Sequence, residues 1–311
     1  MIELNTKCEG WFSLSAFKVD SEGSEITGSR RKLVPPFRNL ITDAGLERMG
    51  DNSDWMQWCQ VGSGSTAPTV LDTGLVSRVA GTSTQQAFVT AAQNSEPYYL
   101  SSNKTYRFAE GVAAGNLSEV GVGWLSIGGL FSRALILDAG GVPTTITVLA
   151  DELLDVTYRF RQYPPSTDSV GTITLRGIVH DYVGRASNVA SFSPSVNWGW
   201  GSSGQSAGTG KATSSRYTAQ SGPIGAITTG PFGASFPAST LGALSYSAGS
   251  LYRDFVIAWD NNSGNVPDGI GAVCIGMGIG AYQFGFTPKI MKTSDDTLSL
   301  TFRHSWARKT L

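Results

Sequence analysis

Charge is scarce in this sequence. Asp, Glu, Lys and Arg make up 15% of its 311 residues, against roughly 25% in an average soluble domain. Long solvated helices are rich in Lys, Glu and Arg, so a helical bundle or coiled coil is excluded. The formal net charge is −1, and no basic tail is present. Without a long-range positive field, no nucleic-acid partner is expected. The three cysteines, Cys8, Cys59 and Cys274, are far apart and form no C-x-x-C pair. That excludes a disulfide framework and fits buried free thiols in a protein made in a reducing cytoplasm. With only two histidines, His180 and His304, no clustered metal ligands can be assembled; neither metal nor cofactor is expected. No basic-then-apolar leader follows Met1, so no secretory signal is expected. No apolar run reaches the ~20 residues of a membrane helix. The nearest, Ile270 to Phe286, is interrupted by glycines and reads as buried strands, so no membrane insertion is expected.

What the sequence does contain is 41% hydrophobic residues and 38 glycines, a mixture suited to short strands and tight turns. The pattern predicts an all-β fold of two tandem related β-sandwich-like domains, with a short helix near the N-terminus. Gly10 to Val19 and Ile26 to Val34 read as a hairpin around the turn at Asp20 to Gly23, ended by Pro35-Pro36. Residues 1–38 are therefore expected to form an exposed arm, with Trp11, Phe12, Phe17 and Phe37 as its assembly residues. The first sandwich-like domain is expected over 39–165 and the second, related one over 166–311. The helix is predicted over Asn39 to Gly50, capped by Thr42 or Asp43 and ended by Gly50. In Leu153 to Tyr163, Leu154, Val156, Tyr158 and Phe160 share one face, while Asp155, Thr157, Arg159 and Arg161 share the other. Pro164-Pro165 forbids strand continuation and marks the boundary.

The two halves carry related blocks. Leu154, Thr157 and Arg159 match Leu298, Thr301 and Arg303 at a constant spacing, and Tyr158 matches Phe302. Upstream, Tyr106-Arg107-Phe108 resembles the block from Leu251 to Phe255. A Gly-rich apolar segment lies between the blocks in both halves, around Val120 to Trp124 and Ile270 to Ile279. One unit copied once accounts for this order.

No catalytic residues are assigned. Gly204-Gln205-Ser206-Ala207-Gly208 matches G-x-S-x-G, but its Gly/Ser/Thr-rich flanks lack the strand and helix that a nucleophile elbow needs. Gly208-Thr209-Gly210-Lys211 lacks the upstream glycine and the Ser/Thr of a phosphate loop. Asp151, Glu152, Asp295, Asp296 and Asp54 are carboxylates by type alone, and turn or solvated positions explain them better. Trp198, Trp200 and Tyr217 are the candidates for contact with a glycan or a partner. Trp198 and Trp200 sit two apart beside the loop from Gly199 to Ser215, and their rings suit either sugar stacking or burial.

Two groups of segments carry a likeness. One runs from Pro36-Phe37-Arg38-Asn39-Leu40-Ile41-Thr42-Asp43-Ala44-Gly45-Leu46 to Met49-Gly50, and on through Cys59-Gln60-Val61-Gly62-Ser63-Gly64-Ser65-Thr66-Ala67-Pro68. The other joins Lys104 to Phe108, Asn116-Leu117-Ser118-Glu119-Val120-Gly121-Val122-Gly123-Trp124, Leu130-Phe131-Ser132-Arg133-Ala134 and Asp151 to Pro165. Together they resemble a family of virion proteins from tailed bacteriophages, described as tail fibre, minor tail or baseplate proteins. The resemblance covers residues 1 to about 165; the second half enters through the duplication alone. It implies a structural, non-enzymatic protein located in the virion tail and assembled in the bacterial cytoplasm. Its partners would be other virion tail proteins and copies of itself, a trimer by analogy. Host surface polysaccharide is a further implied partner. The alternative readings are a carbohydrate-binding receptor module and a polysaccharide depolymerase.

Overall fold

An alternation that begins at Ile2, eight residues before the strand expected from Gly10, sets the architecture. Ile2, Leu4, Thr6, Cys8, Phe12 and Leu14 are all buried, while Glu3, Asn5 and Lys7 between them are exposed. A period of two over this length makes one long strand with one face turned to the core. The computed structural model describes residues 1–51, 54–189, 217–243, 246–277 and 280–310. Among these, one helix stands beside 21 strands, so the chain is all-β.

The first half contains β1 (Ile2–Phe17), β2 (Arg31–Arg38), β3 (Leu40–Ile41), α1 (Asp43–Asp51), β4 (Trp58–Gly62), β5 (Arg78–Thr82), β6 (Gln85–Gln93), β7 (Tyr99–Phe108), β8 (Gly115–Leu117), β9 (Glu119–Gly123), β10 (Leu130–Leu135), β11 (Ile146–Val148) and β12 (Leu153–Tyr163). The second contains β13 (Ser169–Leu175), β14 (Ile178–Ala186), β15 (Tyr217–Gln220), β16 (Ser235–Pro237), β17 (Thr240–Ala243), β18 (Tyr252–Trp259), β19 (Ile270–Met277), β20 (Gly280–Ile290) and β21 (Leu298–Arg308).

One eight-stranded sheet, ordered β17-β18-β21-β1-β12-β7-β6 with β2 beside β1, runs through both halves. Over Lys7 to Phe17, β1 pairs antiparallel with β12. Over Ile2 to Cys8 it pairs parallel with β21. The buried face of this sheet is covered twice. The five-stranded sheet β3-β10-β9-β4-β5 covers the first half, and the six-stranded sheet β13-β14-β20-β19-β15-β16 covers the second. Two cores result. Phe12, Tyr158 and Phe160 meet Phe131, Cys59 and Val122 in one. Ile2, Leu4 and Phe302 meet Phe284, Ile275 and Tyr217 in the other. The Phe131–Phe160 and Phe284–Phe302 ring pairs, at 5.7 and 5.1 Å, bridge the layers of each sandwich.

The duplication is visible strand for strand. The first-half series β3, β4, β5, β6, β7, β9, β10, β12 matches β14, β15, β16, β17, β18, β19, β20, β21, with the same neighbours and all pairs antiparallel. Side chains follow it too. Arg159 donates to Asn103 across β12 and β7 at 2.8 Å, and Arg303 donates to Asp254 across β21 and β18 at 2.7 Å. One expected match is out of register. Tyr106 lies opposite Val156, whereas Tyr252 lies opposite Ser305. Aligning Leu154 with Leu298 equates Phe108 with Trp259, because these are their partners; Tyr252 only resembles Tyr106 in sequence.

Two expectations on the N-terminus are corrected. Residues 1–38 are not an exposed arm, since β1 is the middle strand of the largest sheet. Phe12 and Phe37 lie in the first core. Phe17 is 1% exposed, covered by the guanidinium groups of Arg30 and Arg107 at 4.0 and 4.7 Å from its ring centre. Trp11 is half-buried between Arg38 and Arg161. Pro35-Pro36 does not end a strand either; it lies within β2, which pairs with β1 on one side only, where a missing N–H is tolerated. The domain division at 39–165 and 166–311 therefore describes two cores on a shared sheet, with residues 2–17 belonging to both. Pro164-Pro165 does separate β12 from β13.

The shared strand generates a prediction. Leu4→Ala, at the end of β1 that packs into the second core, should cost about 2–5 kcal/mol. It should speed amide exchange in β12 as well as in β21. Faster exchange confined to β21 would show that the two sandwiches unfold independently.

Candidate functional site

Segments far apart in sequence, Thr42 to Gly45, the loop over residues 63–77, β9 and β10, meet at one rim of the first sandwich. Thr42 caps α1, its hydroxyl accepting from the Gly45 N–H at 2.8 Å and donating to the Leu130 carbonyl at 2.7 Å. A Cβ at Gly45 would sit 2.3 Å from the Phe131 carbonyl oxygen, so only glycine lets the helix approach β10 this closely. Helix formation is thus secured by packing on β10, as a helix of about two turns requires.

Beside this contact lies a buried ion pair. Glu119 on β9 is 0% exposed and Arg133 on β10 is 1% exposed. The Arg133 guanidinium reaches Glu119 at 2.9 Å and Asp72 at 2.7 Å, and it donates to the Thr66 carbonyl at 2.8 Å. The Glu119 carboxylate also accepts from the backbone N–H groups of Gly64, Val76 and Ser77. Burial alone would raise the Asp72 carboxyl, but hydrogen bonds from Arg133 and Thr69 hold it below its usual range. Both ends of the loop over residues 63–77, and its middle, are therefore fixed to the sheet. Charges this deeply buried persist only when their hydrogen-bonding capacity is used.

This scaffold presents apolar side chains to solvent. Leu71 and Val76 on that loop, and Leu125 and Ile127 on the β9–β10 connection, are all exposed. The two loops touch: Arg78 donates to the Ser126 carbonyl at 2.8 Å, and Gly74 packs against Gly128. Gln60, buried in β4, donates to the Leu125 and Gly128 carbonyls. A rigid tip carrying exposed leucine, isoleucine and valine is suited to contact with another protein.

A cleft of about 890 Å³ lies at the junction of the halves. Glu3 and Lys7 from β1, Tyr98 from the β6–β7 turn, Arg185 from β14, and Tyr163 and Lys309 line it. The Lys309 ammonium sits 3.8 Å from the Tyr163 ring centre. Burial and the adjoining Glu9 carboxylate push the Tyr163 hydroxyl up to about 12. Its lining carries charges of both signs.

Both histidines and four of the five candidate carboxylates hold structural contacts. His180 meets the Pro288 carbonyl at 2.7 Å, and His304 meets the Thr6 hydroxyl at 2.9 Å. Asp151, Glu152, Asp54 and Asp296 are paired with Lys18, Arg31, Arg48 and Arg176. Burial pushes the Cys8, Cys59 and Cys274 thiols up, so none is poised as a thiolate. Among the described residues, no group of three or more His, Cys, Asp or Glu could hold a metal ion. Also among them, no helix is long and apolar enough to cross a membrane. Tyr217, expected at a glycan or partner surface, is corrected: it is 1% exposed within the second core, because β15 is paired on both sides, with β16 and β19, and is buried along its whole length. Trp198, Trp200, the loop from Gly199 to Ser215 and the G-x-S-x-G segment lie outside the described residues.

The Glu119–Arg133 pair was not singled out from the sequence. Its only signal is a lone charge in each of two apolar runs, Glu119-Val120-Gly121-Val122 and Leu130-Phe131-Ser132-Arg133-Ala134. The partners of Arg133 at Thr66 and Asp72 are more than 60 residues away, beyond any local pattern. Comparison with protein-family models, with curated proteins and with solved structures finds no match to this chain.

Two predictions arise here. Glu119→Gln leaves the Arg133 guanidinium buried without the more deeply buried of its two counter-charges and should cost about 3–5 kcal/mol. In urea titration its midpoint should fall, and limited proteolysis should cut within residues 63–77. An uncut loop would mean that Glu119 does not hold it.

The second concerns Lys104, 4% exposed, whose ammonium donates to the Met56 carbonyl at 2.7 Å. Burial lowers it to about 8, with Cys59 opposing weakly. A lysine lowered in the folded state destabilises the fold while it must stay charged. That cost is complete below about pH 8 and fades as pH approaches the unfolded value of about 10.4. Lys104→Met should therefore stabilise the fold at pH 7 by ~1–3 kcal/mol. The advantage should narrow above about pH 8. The buried thiols weaken both proteins alike in that range and cancel in the comparison. An advantage independent of pH in urea titrations would contradict the assignment.

Proposed function

We propose that this chain is a structural component of a bacteriophage tail, a fibre, baseplate or fibre-adaptor protein, that works by binding neighbouring virion proteins. The observation that carries the reading is where the family-like segments meet. Thr42-Asp43-Ala44-Gly45, the loop after Gly62, Glu119 and Arg133 converge on one clamp, and that clamp fixes an exposed apolar tip. Residues that carry the resemblance to a virion family then serve a presentation surface. The carboxylates singled out by type in this half are engaged in ion pairs.

The all-β, low-charge composition supports the same reading. Such a chain gains much of its order from sheets and from adjoining subunits, and acts where it is made by joining an assembly. Location in the virion tail is part of the proposal.

The test uses particles of a phage that encodes this chain. Leu71→Asp combined with Ile127→Asp alters two exposed side chains and should leave thermal unfolding unchanged. Mass spectrometry of purified particles should find the unaltered chain in the tail and the double variant missing. A chain absent from particles in both forms would overturn the proposal. Full incorporation of the double variant would overturn the role of the tip.

A further inference from the structure

Edge strands expose a row of N–H and C=O groups, and proteins normally blunt them with charge, proline, bulges or short length. Most edges here follow that rule. β2 carries Arg31, Lys32 and Pro35-Pro36, β16 carries Pro237, β5 carries Arg78 and a register shift, and β3 and β17 are no longer than four residues. β6 follows it least: it ends the eight-stranded sheet, pairs with β7 on one side, and spans nine residues without a charge or a proline, its one irregularity being a register shift between Gln85 and Ala87.

In its sequence, Gln85-Gln86-Ala87-Phe88-Val89-Thr90-Ala91-Ala92-Gln93, the odd-numbered positions read the same in both directions about Val89, while the even-numbered ones do not. Antiparallel pairing of two copies about a twofold axis at Val89 sets Gln85 against Gln93, Ala87 against Ala91, and Val89 against Val89. The alternation supports this register. Phe88 and Ala92 turn inward and pack against the first and second cores. Ala87, Val89 and Ala91 turn outward and are exposed. Pairing would place these three against their own equivalents as one small-residue row, with no charge to repel and no bulky side chain to clash. The other long uncharged edge, β13, reads Ser169-Val170-Gly171-Thr172-Ile173-Thr174-Leu175 and lacks this symmetry.

We propose that the β6 edge is a homodimer seam, in which two copies of this chain pair antiparallel along Gln85 to Gln93 and join their eight-stranded sheets into one. The seam is isologous, the commonest closed arrangement for identical subunits, and strand addition supplies its affinity through main-chain hydrogen bonds. It stands on the strand alone and holds whether or not the chain belongs to a virion.

Sedimentation of the full chain, with two variants, tests it. The unaltered chain should sediment at twice its own mass. Val89→Lys sets like charges opposite each other at the axis and should weaken dimerisation about tenfold or more, with thermal unfolding of the monomer unchanged because Val89 is exposed. Val89→Cys should oxidise to a covalent dimer, since directly opposed strand residues lie about 4.5–5.5 Å apart at Cα, within disulfide reach. Val170→Cys on β13 should not, and the three native thiols are buried. A chain that stays monomeric would overturn the seam. So would an oligomer of any size that Val89→Lys leaves intact, or equal cross-linking through Val170.

Discussion

The structure depends on one strand serving two sandwiches. β1 gives Ile2 and Leu4 to one core and Cys8, Phe12 and Leu14 to the other, all from the same face. It can do so because it changes neighbours near Cys8, where parallel pairing with β21 gives way to pairing with β2 on that side while β12 continues on the other. Thr6 marks the changeover; its hydroxyl meets Tyr282 at 2.6 Å and His304 at 2.9 Å. The His304 ring, which in isolation could suggest chemistry, thereby becomes part of the joint.

A second tie runs from the C-terminal strand to the helix of the first half. Trp306 donates from its indole N–H to the Leu46 carbonyl at 2.8 Å, and Tyr246 donates to Glu47 at 2.8 Å. Arg308 binds Asp43 and the Ile41 carbonyl. These contacts fall on α1 and the residues just before it, so part of that segment serves to hold the copied unit to the original. The copies differ at one end of the sandwich. The first keeps α1, the Glu119–Arg133 clamp and the fixed tip. At the place of α1, between β14 and β15, the second carries the Gly/Ser/Thr-rich stretch.

Much of this was legible in the sequence, and the failures have physical causes. The alternation of Leu154, Val156, Tyr158 and Phe160 against Asp155, Thr157, Arg159 and Arg161 identified both faces of β12, because burial on one side of a strand imposes that period. Thr42 was legible as a cap, and the duplication as an order of blocks. The arm was misread because Ile2 to Cys8 alternates in polar company and because Pro35-Pro36 resembles a strand end; nothing local says that β21, nearly 300 residues away, will pair there. The register between Tyr106 and Tyr252 failed because short aromatic–arginine blocks repeat easily. The clamp was hidden because an ion pair joining β9, β10 and a distant loop leaves no periodic mark.

Amide exchange of the unaltered chain, read residue by residue over Ile2 to Cys8, tests the shared strand most directly. The account predicts strong protection at those Ile2 to Cys8 amides that face β21, which pairs with this whole stretch, while β12 joins on the other side only from Lys7. Exchange at the rate of a free, solvated terminus over those residues would contradict it.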